Sequence, residues 1–145
     1  MSKTTRVILS ALLAGGILLG LSFAVLFITI KFFPNLAEEY YNPVFYPGRD
    51  RIVLYYFHPF VLGMALSWLW ERFKPYFNGA KWLQGLKFGA IYALVATLPS
   101  MWITFSAISV TLLMVGMWFF YGLFQASIAG LIFAWVNPKV RAAQT

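Results

Sequence analysis

Residues 88–138, FGAIYALVATLPSMWITFSAISVTLLMVGMWFFYGLFQASIAGLIFAWVNP, run for 51 positions without an aspartate, glutamate, lysine or arginine. One helical crossing of a bilayer uses about 20 apolar residues, so this stretch crosses twice. Working outward, Val7 to Ile30 gives 24 uncharged residues and Ile52 to Trp70 gives 19. At about 1.5 Å per helical residue, each traverses about 30 Å of hydrocarbon. The reading is an all-α membrane protein with a bundle of four transmembrane helices at about residues 7–33, 51–73, 80–105 and 109–136. An aromatic outer loop fills residues 34–50, and one membrane domain accounts for residues 1–145.

Composition agrees. The 145 residues are 61% hydrophobic and 10% charged, a balance ordinary for a polytopic membrane protein and insoluble as a globular domain. The absence of cysteine excludes disulfides, thiolate metal sites, c-type haem attachment and thiol catalysis. A single histidine excludes any site built on two imidazoles. The formal charge of +7 is scattered between apolar runs rather than gathered into a stripe, which argues against nucleic acid and for orientation. With the N-terminus inside, Lys3, Arg6, Arg72, Lys74, Lys81, Lys87, Lys139 and Arg141 are cytoplasmic, and Lys31, Arg49 and Arg51 are outside. That is the positive-inside bias of an N-in/C-in membrane protein. The first hydrophobic run is too long for a secretory signal and lacks a small-residue cleavage motif, so it reads as a retained helix.

Punctuation along the chain sets the helix ends. Pro34 stops the first helix. Tyr40, Tyr41, Phe45 and Tyr46 suit the headgroup layer, and Tyr46-Pro47-Gly48-Arg49 carries the central residues of a type II turn. Asp50 is placed to cap the second helix. Trp68 and Trp70 read as an interfacial anchor beside Glu71, Arg72 and Lys74, with Pro75 closing the helix and Asn78-Gly79 turning the chain. Lys87 is expected to reach back toward the headgroups. Pro99 kinks or ends the third helix; a turn near residues 105–109, rather than 97–100, gives that helix a full crossing. Asn137-Pro138 ends the fourth.

Small residues mark the packing faces. Gly16 and Gly20 form a GxxxG pair flanked by Ala11 and Gly15; Gly85, Gly89 and Ala93 form a ridge toward the first or fourth helix; Gly122, Ala126 and Gly130 form another. Gln125 and Ser127, beside that last ridge, are expected to hydrogen-bond a neighbouring helix. His58 is the ionisable group inside a span, and with Tyr55, Tyr56 and Trp118 it offers a site for chlorophyll magnesium, haem or a quinone. Pro59 frees the carbonyl of Tyr55, however, and a hydrogen bond there is the plainer role for the imidazole. The cluster Met114, Met117, Trp118, Phe119, Phe120 and Tyr121 fits a packed or lipid-facing surface as well as a cofactor. Glu38, Glu39, Asp50, Arg49 and Arg51 lack the spacing of a calcium loop and read as a solvated rim. No residue is assigned a catalytic or metal-binding role.

The segments LQGLKFGAIYAL and WFFYGLFQASIAGLIFAWV, within residues 82–136, resemble a broad group of small, uncharacterised bacterial four-helix inner-membrane proteins. The resemblance implies a fold and a membrane address and carries no catalytic or ligand residues. The leading expectation is a non-enzymatic accessory or structural subunit that acts by helix packing, with other membrane subunits, a second copy of itself and the lipid bilayer as partners. A pigment, haem or quinone protein using His58, and a small transporter or lipid-handling protein, are the alternatives. The charge bias predicts that a reporter fused after Thr145 is active in the cytoplasm; periplasmic activity would refute the topology.

Overall fold

The computed structural model describes residues 2–45 and 48–139. Tyr46 and Pro47 of the expected turn, and Arg141 of the basic set, lie outside the described residues. Among those described, all regular structure is helical: α1 Lys3–Phe32, α2 Pro34–Glu39, α3 Ile52–Phe73, α4 Lys81–Tyr92, α5 Leu98–Ala107 and α6 Leu112–Val136. Four continuous helical stretches are long and apolar enough to cross a membrane: Lys3–Phe32, Ile52–Tyr76, Lys81–Ala107 and Leu112–Val136.

Local chemistry sets the boundaries. Ser2 Oγ accepts from the Thr5 amide at 3.1 Å, so α1 starts at Lys3, a turn earlier than its hydrophobic run. Thr111 Oγ1 likewise accepts from the Met114 amide at 3.2 Å and starts α6 at Leu112. Asp50 does not cap α3. The 3-10 turn Arg49–Arg51 runs straight into the helix, so the Asp50 backbone is already wound and its carboxylate pairs instead with Arg51 Nε at 3.8 Å on the exposed surface.

The third span passes through Pro99 without breaking. Ala93–Thr97 forms one π-helical turn, in which the Leu98 amide bonds the Ala93 carbonyl, and this wider turn accommodates the proline one residue further on. The helix then continues as α5 to Ala107, and the chain turns at residues 108–111.

α6 is the central element. It packs along α4, crosses α1 and meets α3, while α1 and α3 pack along each other. Both long contacts depend on glycine. A Cβ built on Gly63 of α3 would lie 2.7 Å from the Ala11 carbonyl oxygen and 3.0 Å from the Gly15 nitrogen. One on Gly85 of α4 would lie 2.6 Å from the Leu131 nitrogen of α6, and one on Gly89 would overlap Ser127. The ridge of Gly85, Gly89 and Ala93 thus faces α6, the fourth span.

At one end of the bundle the core is an aromatic knot. Trp70 is fully buried, stacked on Phe77 at 5.6 Å between centroids, with Phe88 edge-on at 5.5 Å and Phe133 tilted at 6.3 Å. Trp70 is therefore not the interfacial anchor expected of it; Trp68, 57% exposed with the Arg72 guanidinium over its ring, takes that place. A tryptophan beside a charged helix end has the same sequence signature in either position.

Lipid tails are as apolar as leucine, so helix association in a membrane relies on close packing rather than on water exclusion. Gly63→Ala and Gly85→Ala are accordingly expected to lower stability by roughly 1–3 kcal/mol through overpacking. Gly16→Ala, with nothing within 4 Å of the new Cβ, should stay within about 0.5 kcal/mol of the parent. Unfolding in mixed micelles, followed by far-UV circular dichroism, checks the contrast.

Candidate functional site

The polar side chains gather at the two ends of the bundle and in two small interhelical bridges. The end that carries Lys3 and Lys139 is held by Asn137, the last residue of the α6 boundary and fully buried. Its carbonyl accepts from the Trp70 indole at 2.9 Å, its Oδ1 from Lys74 Nζ at 2.8 Å, and its Nδ2 donates to Glu71 Oε2 at 2.8 Å. Glu71 also pairs with Lys74 at 2.8 Å and with Lys3 at 3.4 Å. A helix leaves its last carbonyls without intrahelical partners, and here α3 supplies one of them from the aromatic core.

The opposite end carries the aromatic loop. Trp118 of α6 donates its indole N–H to the Tyr40 hydroxyl at 2.6 Å, and Phe45 lies edge-on to the same indole at 5.9 Å. Burial pushes the Tyr40 phenol above its ordinary value, while the bond from Trp118 opposes the shift. Thr111 Oγ1 donates to Glu39 Oε2 at 2.8 Å, which ties the loop to the start of α6. Tyr40 and Phe45 thus pack the loop against α6 at Trp118.

Between the ends, Ser10 and Ser67 bridge α1 and α3 at 2.7 Å, with the Val7 carbonyl 3.0 Å from one hydroxyl and 2.9 Å from the other. Two protons serve three oxygens there. Ser22 and Tyr121 bridge α1 and α6 at 2.7 Å. Gln125 is 5% exposed, yet none of the hydrogen bonds among the described residues involves its amide; Tyr121, one turn earlier, makes the interhelical bond expected of it. The hydroxyls at 10, 67 and 22 had the same signal as any membrane serine in a small-residue ridge, and only the pairing of the helices singles them out.

The proposed cofactor residues are placed apart in their contacts. His58 is exposed on α3, as are Tyr55 and Tyr56; Tyr56 stacks on Phe23 of α1 at 5.8 Å, and Tyr55 lies edge-on to Tyr56 at 5.6 Å. No hydrogen bond or ring contact among the described residues joins these three to Trp118, which is engaged with the loop. Of the cluster that follows Met114, Met114 itself is buried and Phe120 is 63% exposed, so it divides between core and surface.

The packing residues divide as well. Gly85, Gly89 and Gly130 lie at the contact of α4 with α6, Ala93 and Ala126 are buried, and Gly122 faces Thr97 of the π-helical turn. Gly16 and Gly20 are different. Both are exposed, with nothing within 4 Å of a built Cβ; the close approach to α3 falls one position earlier, at Gly15.

Two shallow apolar concavities flank α3. One of about 670 Å³ lies between α3 and α4, with Leu69, Phe73, Tyr76, Ile91 and Tyr92 in its walls and Lys87 at its rim. A second of about 850 Å³, lined by Phe60, Met64 and Trp68, shares Leu69 and Tyr92 with the first.

Asn137→Ala removes a donor and an acceptor from a buried network and should cost about 1–3 kcal/mol. Lys3→Gln, at a position 77% exposed, should cost under about 1 kcal/mol. Parallel titrations with a denaturing detergent order the two variants; equal losses would contradict the assignment of Asn137 as the centre of the network.

Comparison with protein-family models, with curated proteins and with solved structures finds no match.

Proposed function

We infer that this chain is a non-enzymatic, multi-pass protein of a bacterial inner membrane, with both termini in the cytoplasm, that works as an accessory subunit by packing helices against other membrane subunits or a second copy of itself. The observation that carries the reading is the orientation of the GxxxG pair. Gly16 and Gly20 stand on the face of α1 opposite the buried Ala14 and Leu18, in the company of exposed Leu13, Phe23 and Phe27. The other paired glycines lie within the bundle, whereas these two leave a shallow, smooth strip on which a further helix fits closely. The basic residues at the end of the bundle that carries Lys3 and Lys139 support the cytoplasmic assignment.

The double variant Gly16→Leu, Gly20→Leu tests the reading without disturbing the core, because its side chains meet open space. The parent, extracted in a mild detergent and run under native conditions, is expected to migrate well above its 16.5 kDa mass, and the double variant to fall to the monomer with its thermal stability kept. A parent that is already monomeric, or a variant that stays assembled, would sink the proposal.

A further inference from the structure

The basic end carries Lys3, Arg6, Arg72, Lys74, Lys81, Lys87 and Lys139, against the single carboxylate of Glu71 among the described residues. Glu71 is already engaged by Lys74 and Lys3. Four of the five remaining cations make other contacts. Lys81 lies over the Trp135 ring at 4.6 Å and Arg72 over Trp68 at 5.5 Å. Two ammonium groups converge on one residue: Lys139 Nζ donates to Asn78 Oδ1 at 2.7 Å and to the Phe77 carbonyl at 2.9 Å, and Lys87 Nζ lies 3.5 Å from the Asn78 carbonyl. Neither has a carboxylate partner among the described residues. Like charges held on one asparagine repel each other, and an anion between them relieves the repulsion.

Lys87 is also the charged residue at the rim of the α3–α4 groove. From Lys87 to Ala96 the groove wall follows α4 for about 14 Å at 1.5 Å per residue, close to the roughly 15 Å depth of one hydrocarbon leaflet. Tyr76, 78% exposed, stands at the same rim, where a phenol suits the headgroup layer. A basic rim above an apolar slot one leaflet deep has the shape and charge of an acidic phospholipid. We propose that this groove seats an acyl chain of an anionic glycerophospholipid, whose phosphate rests between Lys87 and Lys139. The charged rim selects the headgroup, and the apolar walls accept the chain; basic recesses between transmembrane helices bind acidic lipids in this way.

The test uses the full-length protein in a neutral detergent, with dioleoyl phosphatidylglycerol or dioleoyl phosphatidylcholine added to the micelles and retention read by native mass spectrometry. The two lipids share their chains, so the comparison isolates the headgroup charge. Preferential retention of phosphatidylglycerol is expected. Lys87→Gln or Lys139→Gln should weaken it about 5-fold and the two together about 30-fold, with phosphatidylcholine unaffected. Ala90→Phe, which fills the exposed groove wall and keeps both charges, should weaken retention of both lipids. Unchanged melting temperatures establish that the variants fold. Equal retention of the two lipids, indifference to the lysine substitutions, or a second copy of the chain held in place of lipid would overturn the proposal.

Discussion

The hydrogen bond from the Trp70 indole to the Asn137 carbonyl fixes where the second and fourth spans, α3 and α6, end relative to each other. Its donor stands in the aromatic knot contributed by α3, the 77–79 turn, α4 and α6, and its acceptor is an end carbonyl of α6, which a helix cannot satisfy by itself. Asn137 is buried, and leaving a buried acceptor without its bond costs about 1–3 kcal/mol. The same residue presents its side chain to Lys74 and Glu71, so α3 and the residue after it cap α6 with an indole hydrogen bond and two charge-assisted ones. From this joint outward, the interfaces need only fit.

Fit is supplied by glycine, and its placement separates what the bundle uses for itself from what it leaves over. Along α4 and α6, backbone meets backbone at Gly85 and Gly130, and along α1 and α3 at Gly15 and Gly63. Dispersion is strongest at such distances because many atoms come near their optimal separation at once. Replacing either glycine forces the helices apart and forfeits contacts along several turns. Gly16 and Gly20 offer the same geometry to the outside, where a leucine side chain would meet lipid equally well. A smooth strip on a lipid-facing helix has no role in the monomer's own packing, and that asymmetry gives the assembly reading its physical content.

Most of the architecture was legible because membrane solvation imposes a coarse rule: an uncharged run of sufficient length spans, and Pro34, Asn78-Gly79 and Asn137-Pro138 end the runs where backbone bonds fail. What escaped was finer than that rule. Gly15 and Gly16 differ by 100° around the helix, and composition is silent about which of two adjacent glycines faces α3. Trp68 and Trp70 lie two residues apart with the same flanking charges, so nothing local distinguishes a headgroup anchor from the centre of the core. The preferred turn near residues 105–109 agrees with a chain that turns at residues 108–111, but the π-helical turn that absorbs Pro99 has no local signature: it precedes the proline, and its Thr97 lies against Gly122 across the interface. Trp118, the member of the His58 grouping from another helix, is engaged by Tyr40 and Phe45 of the loop, contacts that the local sequence does not announce.

Electrostatics at the basic end follows from a shortage of acids. Glu71 serves Lys74, Lys3 and Asn137 at once, and its position within reach of Asn137 makes it a structural carboxylate rather than a spare counter-ion. The other cations at that end must therefore be balanced by something outside the described residues. Four of them have a second contact: an indole for Arg72, another for Lys81, and Asn78 for both Lys87 and Lys139. Cation–π contacts occupy one cation each with a ring, whereas Lys87 and Lys139 bring two ammonium groups to one asparagine. Of the two arrangements, only the second defines a place for an anion, because two cations brought to one residue repel each other and a counter-ion relieves that repulsion.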